Sequence, residues 1–361
     1  MKEPIVNKLP ILLLVVMSLL SGIFTGWFRL GLDLPLVSTV FLDHGAIMTG
    51  SFLGTVILIE RIVALKRKWL FAFPIVNVSS LIFFYSELNS LAFSCLIIGS
   101  TGLFYAFFLI NKQHSDLPHQ VMWIGAGAWF IGNAHLFIFQ LYAHSILWWM
   151  AFLLLTIVGE RLELSRFLPL SQFKRYLLVF FLALFVISCI IPFHLGGQML
   201  TGGTIILIAI WLLVFDMVRY SIKKPGIHRF SAFTLICGYV WLVLSGLFYL
   251  LDPTGIITYD ALIHSFFLGF VFSMIFAHAP IILPGVLKLG FKPYHRILYV
   301  WVMLFELSLG IRIVGGILTI PAWKQYGGMV NGLVILFFLA TMVLITLSKL
   351  INNQSTFKTE T

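Results

Sequence analysis

His44 and His264 are the two residues of this chain whose type and position most invite chemistry. Each stands about six or seven residues into a long apolar run, roughly 10 Å of helix below its outer end. An ionisable group inside lipid is costly unless it is paired or ligated. A neutral imidazole is the least costly such group to bury, and histidine is the commonest metal ligand. Two imidazoles at one depth on two helices suit a bis-histidine haem, one nitrogen approaching each axial face of the iron. Gly45, Gly50, Ser51 and Gly54 near His44, with Gly269 near His264, would leave room for a porphyrin. The same small residues would equally allow close helix packing.

Other residues form weaker groups. His135 and His144 lie across a very short loop with Tyr142 between them, a donor set suited to copper or to an axial ligand. Glu60-Arg61, Glu160-Arg161 and His278 fall near the inner ends of their runs. Converging there, two carboxylates and an imidazole could pass protons or hold a cation; alternatively, each Glu-Arg pair neutralises itself while the arginine snorkels. Glu306 sits near the middle of its run with no adjacent countercharge, so it needs a partner on another helix and is a candidate proton relay. Arg312 stands at the depth of the histidines and could pair with a haem propionate.

The elements that must position these residues are membrane helices. Of 361 residues, 60% are hydrophobic and 10% charged, with a mean hydropathy of +1.05. Soluble domains carry about 25% charged residues, so this chain could not cover a water-facing surface. Apolar runs near 9–31, 37–62, 69–88, 90–111, 119–141, 143–162, 175–193, 199–222, 229–251, 258–287, 296–318 and 325–349 predict about twelve transmembrane helices. All but Arg29, Arg312 and Lys324 of the 23 Lys and Arg residues map to one side. The positive-inside rule makes that side, and both termini, cytoplasmic. The net charge of +10 is thus a topology signal with some attraction to anionic lipid, and no basic stretch resembles a nucleic-acid module. Cys95, Cys189 and Cys237 all lie within apolar runs and read as packing residues.

Internal similarity suggests repetition. Leu19-Leu20-Ser21-Gly22-Ile23-Phe24 matches Val243-Leu244-Ser245-Gly246-Leu247-Phe248. His44 precedes Glu60-Arg61 by the same interval as His144 precedes Glu160-Arg161, and His264 opens the tenth run in the corresponding way. The expected fold is therefore all-α: one membrane domain over 1–361, built of three pseudo-threefold four-helix units near 1–112, 118–224 and 228–352.

Such a bundle, with histidines on spans two and ten near the outer face, resembles subunit I of the haem–copper oxidases and nitric oxide reductases. Asp43-His44-Gly45-Ala46-Ile47-Met48 is similar to the histidine segment of that family's second span. At 361 residues the chain is nearer in size to the NnrS-type proteins, a compact haem- and copper-containing membrane family tied to nitric oxide metabolism. The resemblance implies haem b at His44 and His264, copper as a further metal, a bacterial-type inner membrane, and an electron-donor protein at the outer face besides lipid. It does not extend to oxygen reduction at a haem–copper pair. His264 and His278 are roughly 21 Å apart along a helix, and spans six and seven lack the His-Pro-Glu and His-His copper ligands. The sequence has no Walker loop, dinucleotide fingerprint, HExxH or nucleophile elbow. The alternative class is a proton-coupled or metal-ion transporter using the same histidines and carboxylates, for which helices broken at mid-membrane are expected.

Overall fold

In lipid every backbone N–H and C=O must find its partner within the protein, so apolar runs of this length fold as helices. A computed structural model of the chain describes residues 9–252, 256–287 and 289–359. Lys2, Lys8 and Lys288 lie outside the described residues, as does the side chain of Lys358. The described residues contain helices and turns but no strand. In chain order the principal helices are α1 (Leu9–Arg29), α2 (Phe41–Leu65), α3 (Ala72–Tyr85), α4 (Asn89–Gln113), α5 (Leu117–Phe139), α6 (Ile146–Leu164), α7 (Gln172–Ser188), α8 (Gly197–Phe215), α9 (Ile227–Leu251), α10 (Tyr259–Leu287), α11 (Leu298–Ile317) and α12 (Pro321–Thr359).

Among the described residues, 11 helices are long and apolar enough to cross a membrane, the pattern of a multi-pass membrane protein. The eleven exclude α7, whose 17 residues reach only the lower bound for a span. Local chemistry sets several boundaries. Asp116 caps α5 by accepting the His119 backbone N–H at 3.1 Å, with proline in the first turn. Lys66 and Gln140 end α2 and α5 in the left-handed region, at φ 55° and 53°.

The chain forms two compact units, Met1–Gly197 and Gln198–Thr361. In the first, consecutive helices pack side by side from α3 to α6, and α1 lies on α2 and α3. Trp129 of α5 stacks on Phe152 of α6 at 4.8 Å between centroids, and Asn133 links α4 to α6 by donating to the Leu96 carbonyl (3.0 Å) and accepting from Trp149 Nε1 (3.0 Å). In the second unit α11 packs along α12, and α9 lies on α10. Asn331 of α12 donates to the Phe305 carbonyl and to Ser308 of α11, at 3.2 and 2.7 Å.

Two helices are not α-helical throughout. Ile47–Gly54 in α2 and Ser265–Phe272 in α10 are π-helical, each eight residues long and each starting within three residues of His44 or His264. π-Helical turns inside α-helices are rare and often occur at functional sites. In α2 the widened turn is supported from α3, where Asn77 Nδ2 donates to the Gly50 carbonyl (2.9 Å) and to Thr55 Oγ1 (2.7 Å).

Candidate functional site

His44 stands where α2 leaves its leading 3-10 turn. Its Nδ1 lies 2.9 Å from the Gly22 carbonyl and 3.1 Å from Thr25 Oγ1, both on α1. The Thr25 hydroxyl is within donating distance of the Ser21 and Gly22 carbonyls, at 2.8 and 2.9 Å, so it accepts from the ring. A carbonyl cannot donate, so Nδ1 carries a proton, and in the neutral ring the lone pair is then on Nε2. Gly26 lets the ring lie close to α1: a Cβ there would be 3.1 Å from the ring's Cε1, a tight contact. The neighbouring Asp43 is buried and accepts from the Tyr142 hydroxyl at 2.7 Å.

His264 closes the first α-helical segment of α10, one turn beyond Asp260. Its Nδ1 lies 2.9 Å from the Asp260 carbonyl and 3.1 Å from Asp260 Oδ1. Arg312 of α11 grips the same carboxylate as a fork, Nε to Oδ2 at 3.0 Å and Nη2 to Oδ1 at 2.7 Å. Nη2 is also 3.3 Å from each ring nitrogen, so the guanidinium sits beside the imidazole as well as on the carboxylate. Arg312, expected beside a propionate, thus has Asp260 as its counter-ion. Sequence reasoning missed Asp260. Its signal was the four-residue spacing to His264, which puts both side chains on one helix face.

Two further histidines place Nδ1 on a backbone carbonyl. His278 Nδ1 lies 2.7 Å from the Met274 carbonyl, and His135 Nδ1 lies 3.2 Å from the His144 carbonyl. His135 and His144 both pack against the ring of Phe139, at 5.6 and 4.9 Å between centroids. Tyr142, expected beside them, turns its hydroxyl to Asp43. No group of three or more His, Cys, Asp or Glu side chains able to hold a metal ion occurs among the described residues.

The glycines expected to open a porphyrin slot are filled by protein. A Cβ at Gly50 would meet Leu96, one at Gly54 would meet Trp129, and one at Gly269 would meet Trp241, each nearer than 3.0 Å. Gly50, Gly54 and Gly269 therefore serve helix packing, while each ring by itself, with Nδ1 on a backbone carbonyl, keeps the orientation that suits an Nε2 ligand.

Within the first unit Glu60 and Glu160 come together around one cation. Arg61 is hydrogen-bonded to Glu160 and lies 3.8 Å from Glu60, and its guanidinium sits 5.6 Å from the Phe107 ring centroid. Within the second unit Glu306 accepts from Trp241 Nε1 on α9 and from Ser273 Oγ on α10, the latter at 2.9 Å. It has found partners on two other helices, both of them neutral. Glu306→Leu should leave both donors unsatisfied and lower stability in detergent by about 1–3 kcal/mol. Glu306→Gln keeps a carbonyl acceptor and should lose less, a difference that thermal melting will read.

Outside the spans, Asp116 joins α5 to the end of α6. Burial alone would raise its carboxyl, but the His119 N–H and ring and the Arg166 guanidinium outweigh burial and hold it below the usual carboxylate range. Since the folded value is lower than the unfolded one of about 3.9, the link is at full strength above ~pH 4 and is lost as pH falls through the folded value. The melting temperature of Asp116→Asn should therefore lie below that of the unsubstituted chain at neutral pH, and the gap should close in acid.

Neither the curated proteins nor the solved structures provide a match to this chain. The family described as a domain of unknown function (DUF8744) matches residues 8–347, and the chain belongs to that family.

Proposed function

We propose that the chain is a haem-binding integral membrane protein of redox or nitric-oxide type, with a b-type haem held near the outer face by His44 and His264. The observation that carries this reading is the state of those two rings. Each presents Nδ1 to a backbone carbonyl, so that the neutral ring offers Nε2 as its lone-pair nitrogen. Metal-ligating histidines are commonly oriented in this way by their second nitrogen. Asp260 adds a carboxylate to the His264 side, and Arg312 balances its charge. When bound, the haem would supply one-electron chemistry or a site for a diatomic gas. The protein's part is to orient the rings, His44 through α1 and His264 through its own helix α10.

Twelve spans form three four-helix units with both termini cytoplasmic, in a bacterial-type inner membrane. An electron-donor protein would dock at the outer face, and copper at His135, His144 or His278 would be a further site. The expected result is a low-spin b-type optical spectrum from protein purified in detergent after expression with a haem supply.

A second reading, a proton-coupled or metal-ion transporter, is favoured by the irregular helices. Both α2 and α10 carry π-helical stretches, and α10 continues into Pro280 and Pro284. Haem-free protein that moves protons or a divalent cation in vesicles would give the site to this reading.

A further inference from the structure

In the first unit, where α5 begins, α6 ends and α7 begins, there is a cavity of about 360 Å³. That volume lies within the ~300–1,000 Å³ of small-molecule sites. Asp116, Arg166, Gln172, Arg175 and Tyr176 form its polar wall, and Leu162 is part of its apolar one. Asp116 is already occupied, accepting from the His119 backbone and from Arg166 Nη2, each at 3.1 Å. Arg166 also donates to the Glu163 carbonyl and carboxylate. Arg175 differs: its Nε is shielded from solvent and has no hydrogen-bond partner among the described residues. A guanidinium N–H kept from water without an acceptor is a cost that a ligand oxygen would remove.

Arg175 also belongs to the first turn of α7, where Ser171 makes no side-chain cap. The positive end of that helix therefore lies at the same wall. A guanidinium, an amide, a phenol and a helix N-terminus all donate, and their complement is an anion with several oxygens. Basic pockets between membrane helices near the aqueous boundary suit phosphate headgroups. We propose that this cavity is a phosphate-binding site in which Arg175 makes the principal contact. The proposal is independent of the haem reading.

The test is native mass spectrometry of the full chain released from nanodiscs of mixed phosphatidylglycerol and phosphatidylcholine, with thermal melting in parallel. The chain should retain phosphatidylglycerol over phosphatidylcholine, and Arg175→Gln should reduce that retention about tenfold. Arg219→Gln, a change of equal charge in the second unit, should leave it unaltered. Arg175→Lys keeps the charge but loses the fork and should be intermediate, so it decides the matter if the glutamine variant fails to fold. Inorganic phosphate is the second arm. Arg175-dependent binding of phosphate in the absence of lipid retention would support the site and identify a soluble source. Unchanged phosphatidylglycerol retention in Arg175→Gln, or no preference for either phosphate source in the unsubstituted chain, would overturn the proposal.

Discussion

His44→Ala and His264→Ala should each abolish the low-spin b-type spectrum, and this is the largest effect we expect from any single substitution. A bis-histidine iron owes its spin state to two strong axial nitrogens. Removing one leaves an open coordination position, and the haem is either high-spin or lost. The orienting groups should matter less. Thr25→Val removes one acceptor from His44 Nδ1 but leaves the Gly22 carbonyl, so haem affinity should fall by about 10–100-fold at most. His278→Ala should leave the spectrum intact. A spectrum that survives both alanine substitutions at His44 and His264 would end the haem reading and bring transport forward.

The second large effect is expected at Asp260 and Arg312. The Arg312 side chain is 8% exposed and that of Asp260 16%, and they meet as a fork. Breaking a buried pair by removing one member leaves an uncompensated charge, at about 3–5 kcal/mol. Asp260→Asn and Arg312→Leu should each lower stability in detergent by that order. Replacing both together with leucine should recover much of the loss, because two apolar side chains leave no charge to solvate. Denaturation of the two single variants and the double one measures this coupling directly. Equal losses from the singles and an additive double would mean that the pair is more solvated than its geometry indicates.

Much of the helical content was legible in the sequence, because a bilayer converts apolar length into helix with little ambiguity. The tenth run, read as 258–287, folds as helix over Tyr259–Leu287, and the fifth, read as 119–141, folds as Leu117–Phe139. The seventh run, read as 175–193, stops at Ser188. Its continuation, Ile190-Ile191-Pro192-Phe193, is as apolar as a span but contains a proline, which removes a backbone donor. At the candidate site, residue types were legible and their partners were not. Glu306 announced its need for a partner, but Trp241 and Ser273 are brought to it only by folding. Asp260 sits in the first turn of its helix, where an acid suits the helix dipole, so nothing local marked it as the counter-ion of a residue on another helix. Hydropathy also could not reveal that Gly50 and Gly54 are occupied by Leu96 and Trp129, since an empty slot and a filled one have the same composition.

The π-helical stretches of α2 and α10 change what a spacing means. An α-helix turns about 100° per residue, so sixteen residues separate two side chains by ~160° around an uninterrupted axis. One residue of slip, the unit by which a widened turn departs from the α pattern, reduces that angle to ~60°. The interval from His44 to Glu60 crosses such a stretch, whereas the equal interval from His144 to Glu160 starts in the 3-10 turn ahead of α6 and meets no π-helical residues. The two intervals agree in letters but differ in azimuth. His44 and His264, followed within three residues by stretches of the same length, share an interruption in the helix beyond them that His144 lacks. Any helical-wheel projection of this family must therefore be drawn in two pieces for the second and tenth spans, with the break just inward of the histidine.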